Sequence, residues 1–476
     1  MQQPNIIFFL VDDMGWKDLT CTGSEFYETP NIDRLAAEGM RFTNAYASCP
    51  VCSPTRASIL TGKYPATVGV TDWIDWGGAL HPCSGRLIDV PYLKNLPTSE
   101  YSIAKALAAG GYATWHVGKW HCGGDEASPE KHGFQVNVGG CHHGSPGNGG
   151  YFSPWSIEAL QNADVPEGTY LTDYLTDQAL NLIQNRDRNR PFFLNMWYYS
   201  VHTPIQAKPD KIRKYEQKAQ KMGLDTVEAL IEGEPFPCEH KKNLRVQRRV
   251  VQSDPVYAAM IESLDENIGR LLEAIDEAGE AENTLVIFYS DNGGLSTAEG
   301  SPTCNLPLAE GKGWMYEGGT REPLLVRWPG QINSGSTCEA PVTSPDFYPT
   351  LLEVAGLEPI PEQHCDGETI LPLLKGGNTL ERDAIFWHYP HYGNQGGTPG
   401  SSVRCGDYKL IEFFEDGRIE LYNLRTDPGE QTNLADSEPE RRKELHGKLI
   451  AWRKKVEAKI PAANPDWKPA LQFTAF

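Results

Sequence analysis

The sequence predicts an α/β protein built on a mostly parallel sheet, with a small antiparallel subdomain and a closing helix at its carboxyl end. Asn5–Val11 (NIIFFLV) is an uninterrupted apolar run, which suits a strand buried on both faces. Similar apolar runs alternate with helix-periodic segments along most of the chain, the pattern of a parallel sheet covered by helices on both sides. Near the carboxyl end the pattern changes to short strands joined by turn signals.

The elements follow in order. Pro30–Glu38 reads as a short helix closed by Gly39, and residues 40–45 as a strand. Residues 101–109 are helical with Gly110-Gly111 as the stop, and residues 112–117 return as a strand. Helix Leu171–Gln184, strand 192–198, helix 258–278 and strand Thr284–Ser290 continue the alternation. In the helix of residues 258–278, Ile261, Leu264, Ile268, Leu271 and Ile275 form an amphipathic stripe at spacings of three and four. Residues 358–378 are rich in Pro and Gly and are read as a boundary, dividing the chain into a larger domain of residues 1–375 and a smaller one of 376–476. Strands are expected at 384–388, Tyr408–Phe413 and 418–422, with Glu415-Asp416-Gly417 as a hairpin turn. The closing helix, 439–458, carries Leu445, Leu449, Trp452 and Val456 on one face.

Charge narrows the function classes. The 476 residues contain 63 acidic and 43 basic side chains, a net charge of −20, which argues against a nucleic-acid binder driven by phosphate contacts. An acidic chain that binds an anion needs a local basic pocket. No apolar run approaches the roughly 18 residues of a membrane span. The chain opens Met1-Gln2-Gln3-Pro4 without a leader pattern. That start fits a cytoplasmic protein, or a secreted one written without its leader. The eleven cysteines are not expected to build a structural zinc site, and ten of them could pair in an oxidising compartment if one is chemically special.

The chemistry begins at two strand ends. The first predicted strand runs into Asp12-Asp13, and Thr284–Ser290 runs into Asp291-Asn292. Adjacent carboxylates repel unless a cation lies between them. Each pair alone fits an ordinary loop start, where Asp and Asn are common. Two such pairs at the carboxyl ends of buried strands, where α/β sheets collect their chemistry, point to a hard divalent cation, Ca²⁺ or Mg²⁺.

Cys52-Ser53-Pro54-Thr55-Arg56, continuing to Leu60-Thr61-Gly62, resembles the signature of the formylglycine-dependent (type I) sulfatases, in which the cysteine is oxidised to formylglycine. The resemblance extends through Asn31–Leu35, Gly118-Lys119-Trp120-His121, Ser290–Gly294 and Glu317–Arg321, and is to bacterial arylsulfatase A-like carbohydrate sulfatases. It implies an alkaline-phosphatase-like α/β sandwich with a mixed, mostly parallel sheet. It also implies a reaction: a hydrated aldehyde carries two hydroxyls on one carbon, one to attack sulfur and one whose deprotonation expels sulfate. By the same resemblance Asp12, Asp13, Asp291 and Asn292 hold the metal together with residue 52, and the family preference is Ca²⁺, with Mg²⁺ possible. Arg56 holds the formylglycine hydroxyl, and Lys119 and Lys312 grip sulfate oxygens. His121 is the base for sulfate expulsion, and His202 protonates the leaving oxygen. Arg321 is read as a structural partner of a carboxylate.

The loops Asp72-Trp73-Ile74-Asp75-Trp76-Gly77-Gly78 and Gly139–Pro146 set polar groups beside aromatic ones, which suits a sugar. The run His388–Gly397 and Arg404 resemble bacterial polysaccharide sulfatases, so a sulfated, galactose-type carbohydrate is the expected substrate, with His142, His143 and Arg404 reading the sugar. The expected partner in maturation is a formylglycine-generating enzyme or its anaerobic radical counterpart. The expected location is periplasmic or secreted. The competing readings are a phosphonate monoester or phosphodiester hydrolase of the same superfamily, and a non-catalytic binder of sulfated glycans.

Overall fold

The computed structural model describes residues 3–75 and 83–468. A main sheet runs in the order Ser336–Cys338, Met40–Tyr46, Arg321–Arg327, Thr284–Ser290, Asn5–Val11, Phe192–Trp197, Ala113–Gly118 and Val136–Val138, with Val342–Thr343 also pairing to Met40–Tyr46. Asn5–Val11 lies parallel to both neighbours. Arg321–Arg327 runs antiparallel to the strands on either side, which makes the sheet mixed.

Asn5–Val11 is buried along its whole length, as its composition predicts. Ile7, Phe9 and Val11 face one core with helices Leu171–Gln184 and Pro255–Glu277. Ile6, Phe8 and Leu10 face the other, with helices Cys52–Thr61, Ile103–Ala109 and Phe347–Val354. The expected stripe from Ile261 to Ile275 is buried. Its helix starts at Pro255 because Asp254 accepts from the amides of Val256 and Tyr257 at 2.9 and 3.1 Å. Asp265 of the same helix accepts from the amides of Asn31 and Ile32 at 3.0 and 2.8 Å, and so caps helix Pro30–Glu38.

The C-terminal sheet is antiparallel, in the order Ala384–Tyr389, Gly400–Cys405, Tyr408–Phe413 and Ile419–Asn423. One face packs on helix Pro439–Lys455 through Leu445, Leu449 and Trp452. The other packs through Trp387 and Tyr389 on Tyr46, Cys49 and Val51 of the main body. Within the stretch 358–378, Ile370, Leu371, Leu373 and Leu374 belong to the main core. Between the two bodies lies a buried ion network, in which Lys409 Nζ reaches Glu317 at 3.0 Å and Glu430 at 3.1 Å. Arg321 pairs with Glu317 at 3.5 Å, a structural role as expected.

Three buried histidines have acid–base consequences. His116 accepts from the Asn195 amide at 3.0 Å and donates to the Gly118 carbonyl at 3.2 Å. Burial pushes His116 and His388 down to about 3 and His132 to about 4. These lie below the roughly 6.5 of a free imidazole, so the unfolded chain binds more protons in that window and these groups lower stability as pH falls through it. The melting temperature of the parent should therefore drop more than that of His116→Gln between about pH 7 and about pH 4.5; parallel profiles would mean that this imidazole is not held neutral.

Candidate active site

The site gathers at the carboxyl ends of neighbouring parallel strands. Val11 and Ser290 are register partners, so Asp12 and Asp291 emerge side by side, with the Asp291 amide donating to the Val11 carbonyl at 3.1 Å. Asp13 takes φ of 61°, a left-handed backbone that a non-glycine residue adopts at a cost. The next strands deliver Lys119, whose amide donates to the Trp197 carbonyl at 2.7 Å. Gly118 before it must lack a side chain, because a Cβ there would sit 1.9 Å from that same carbonyl oxygen. Cys52 is the first residue of helix Cys52–Thr61, all ten residues of which are buried. Its sulfur therefore sits at the positive end of the helix dipole.

Three cations interleave with three carboxylates. Lys119 Nζ donates to Asp12 Oδ2 at 2.6 Å. Arg56 Nε donates to Asp291 Oδ2 at 2.9 Å and Arg56 Nη1 to the Lys119 carbonyl at 2.9 Å. Lys312 Nζ donates to Asp13 Oδ2 at 2.8 Å, and Asn292 Nδ2 to Asp13 Oδ1 at 2.8 Å. Burial drives Asp12 well above the usual carboxylate range, and Asp291 and Asp13 add to it against Lys119. For Asp13 burial acts the same way, but Lys312 and His202 outweigh it and hold the group below its usual value. Asp12 Oδ1 and Asn292 Oδ1 are buried without a hydrogen-bond partner. Asp12, Cys52 and Asp291 bring ligand atoms within 4.8 Å of one another, as do Asp12, Asp13 and His202. Converging buried oxygens, two of them unpartnered, are a donor set that fits a hard cation.

The two histidines have defined tautomers, assigned from their partners. His121 donates through Nε2 to the Ile74 carbonyl at 2.9 Å, leaving the Nδ1 lone pair 3.2 Å from Cys52 Sγ. Burial, with Lys119 next, holds His121 well below its ordinary pKa. His202 donates through Nδ1 to the Thr203 carbonyl at 2.8 Å, and Nε2 accepts from Lys312 at 3.1 Å. Burial and Lys312 push His202 down to about 3, with Asp13 opposing. Cys52 itself is raised by burial against the pull of Lys119 and Lys312. A thiol held protonated is a poor nucleophile as it stands.

Above this floor opens a cleft of about 460 Å³, which Cys52, His121, His202 and Lys312 line at the bottom. His142, His143, Gly144 and Ser145 form one wall, Trp73, Ile74 and Asp75 a second, and Glu299, Asn394 and Gln395 a third. Of the residues read from the sequence, His142 and His143 reach this cleft and Arg404 does not. Arg404 lies in strand Gly400–Cys405, is 5% exposed, and donates to Asn44 Oδ1 at 3.1 Å and to the Tyr46 hydroxyl. Its guanidinium is committed to the interface of the two bodies, so it is not placed to read a substrate. Trp76, Gly77 and Gly78 lie outside the described residues. Glu299 was not legible: it sits in a loop beyond Asn292 with φ of 54° and accepts from Gln395 Nε2 at 2.9 Å.

The chain belongs to the sulfatase family and is a sulfuric ester hydrolase: the family description "Sulfatase" matches residues 4–357. A second description, "N-sulphoglucosamine sulphohydrolase, C-terminal", matches residues 310–455. A protein called sulfatase from Formosa agariphila is 34% identical, covering 95% of this chain and 89% of its own. Human N-acetylgalactosamine-6-sulfatase is 31% identical over 81% of this chain and 68% of its own. The crystal structure of Ps i-CgsB in complex with k-i-k-neocarrahexaose superposes with a TM-score of 0.74 at 27% identity, covering 99% of this chain and 96% of that one. The fold is the alkaline-phosphatase-like sandwich of these relatives, as expected from the sequence.

The packing behind His121 is testable. A Cβ on Gly144 would come 2.5 Å from His121 Cε1. Gly144→Ala should displace the imidazole from residue 52 and lower kcat on the order of 100-fold with the fold retained. An unchanged kcat would mean that Gly144 does not set the position of His121.

Proposed function

We propose that the protein removes sulfate from a sulfated carbohydrate, with a galactose-type residue as the substrate unit, by means of a formylglycine nucleophile made from Cys52. The observation that carries this reading is the setting of Cys52: its thiol donates to His121 Nδ1 at 3.2 Å, and its sulfur lies within 4.8 Å of ligand atoms of Asp12 and Asp291. The names of relatives support the sugar: one is called N-acetylgalactosamine-6-sulfatase, and a Bacteroides thetaiotaomicron relative at 26% identity N-acetylglucosamine-6-O-sulfatase.

Asp12, Asp13, Asp291 and Asn292 would hold the divalent cation with residue 52, Ca²⁺ by family preference. The cation would polarise the S–O bonds of the ester. The aldehyde hydrate at residue 52 would supply the attacking hydroxyl and a second one whose deprotonation releases sulfate. His121 Nδ1 is the base within reach of that second hydroxyl, and its neutral state leaves the lone pair open. Lys312 donates both to Asp13 and to His202. His202 Nε2 accepts from Lys312 here, so it would protonate the leaving oxygen only as the imidazolium, the charged form that an entering sulfate anion favours. Lys119 and Lys312 supply the local positive charge that a chain of net charge −20 needs to hold an anion. Arg56 would hold the formylglycine hydroxyl from a guanidinium already anchored on Asp291 and the Lys119 carbonyl. Maturation requires an enzyme that oxidises Cys52, and a polysaccharide substrate places the work in the periplasm or outside the cell. Among the described residues no helix is long and apolar enough to cross a membrane.

The test is sulfate release from a panel of singly sulfated monosaccharides by the matured protein. Release from a galactose-type sulfate is expected, with Cys52→Ala inactive. Stripping divalent ions should abolish turnover and Ca²⁺ should restore it. Turnover by Cys52→Ala would contradict the nucleophile, and turnover that survives chelation would contradict the metal.

A further inference from the structure

A second group of donors lies at the cleft wall, two of them lining it, and differs from the oxygen cluster beneath the floor. Cys141, His142 and His143 are consecutive in sequence, yet their sulfur and ring nitrogens come within 4.8 Å of one another. Consecutive side chains on an extended chain point to opposite faces. Here the backbone bends, following Gly139 at φ of 81°, and the two imidazoles lie with ring centroids 4.4 Å apart. Glu158 Oε2 stands 3.5 Å from His142 Nδ1. Burial pushes the Cys141 thiol up; a thiol that coordinates a divalent cation is deprotonated by the charge of that cation.

We propose that Cys141, His142 and His143 form a binding site for a zinc-type divalent cation, with the fourth position open to solvent. One sulfur and two imidazoles match the ligand preferences of zinc. The same set does not suit calcium, which takes about six to eight oxygens. The two groups of donors on this chain thus sort different metals by ligand chemistry. The three ligands are adjacent in sequence, and only the bend brings them together. Binding has a functional consequence, since His142 and His143 both line the cleft. A cation on their ring nitrogens withdraws them from a sugar, so zinc acts as an inhibitor at the cleft wall rather than at the nucleophile.

The site can be read without turnover and without conversion of Cys52. Calcium-loaded protein in a Cys52→Ala background, which removes the thiol of the oxygen cluster, is titrated with Co²⁺. A cobalt–thiolate bond gives a charge-transfer absorption in the near ultraviolet. One Co²⁺ per chain should develop that band, and added Zn²⁺ should bleach it. Cys141→Ser should abolish the band, His143→Ala should weaken Co²⁺ binding by at least about tenfold, and Cys83→Ser should change neither. Circular dichroism checks that Cys141→Ser is folded; if it is not, the His143→Ala titration decides. Absence of a thiolate band in the starting protein, its survival in Cys141→Ser, or unchanged Co²⁺ affinity in His143→Ala would overturn the proposal. Failure of sulfate release would leave it standing, because nothing in the titration depends on catalysis.

Discussion

Charge held out of water governs this structure. Asp12, Asp13, Asp291, Arg56, Lys119 and Lys312 are all at most 4% exposed and sit at the meeting point of strand ends. A buried ion without a partner costs several kcal/mol, about 3–5 when one member of a pair is removed. Each of these groups therefore depends on the others being in place. The fold meets that demand with backbone rather than with flexible side chains. Parallel register sets Asp12 beside Asp291, and a helix that is buried on every side fixes Cys52 and Arg56 four residues apart on one face. Close approaches at Gly118 and Gly293, each 1.9 Å from a carbonyl if given a Cβ, leave no slack in the connecting turns.

The C-terminal body belongs to the site as much as to the periphery. Asn394 and Gln395 come from it and close one wall of the cleft. Gln395 accounts for Glu299, and the Gln395 carbonyl accepts from Trp314 Nε1 at 3.0 Å, two residues beyond Lys312. Lys409 sits in the C-terminal sheet and neutralises Glu317, whose helical turn Glu317–Thr320 packs against Gly293. The same Glu317 accepts from the Tyr46 hydroxyl at 2.7 Å, on the strand that leads toward Cys52. The cleft wall and the charge cluster are thus both braced by residues of the C-terminal body.

How much of this was legible depended on whether the signal was local. Asn5–Val11 and Thr284–Ser290 could be read to the residue because a strand buried on both faces has no polar interruption, and the acids that follow mark its end. Strand Arg321–Arg327 was missed because it opens Arg-Glu-Pro, and Gly400–Cys405 because Gly-Ser-Ser carries no apolar alternation. Both are held by their neighbours rather than by their own composition. Within the Pro- and Gly-rich stretch 358–378, read as a boundary, a short apolar helix, Leu371–Leu374, packs into the core. Arg404 illustrates the limit for sites: an arginine near a glycine-rich loop reads the same whether it faces substrate or, as here, the Tyr46 ring and hydroxyl. The Cys141, His142 and His143 convergence and the place of Glu299 arise from bends that no residue pattern announces.

The central claim is that Cys52, protonated and buried, works only after conversion. Its most direct test is the mass of the peptide containing Cys52 after expression beside a maturation enzyme. Loss of the thiol and an aldehyde that reacts with a hydrazide are the expected result. An unmodified cysteine in a preparation that still releases sulfate would contradict it.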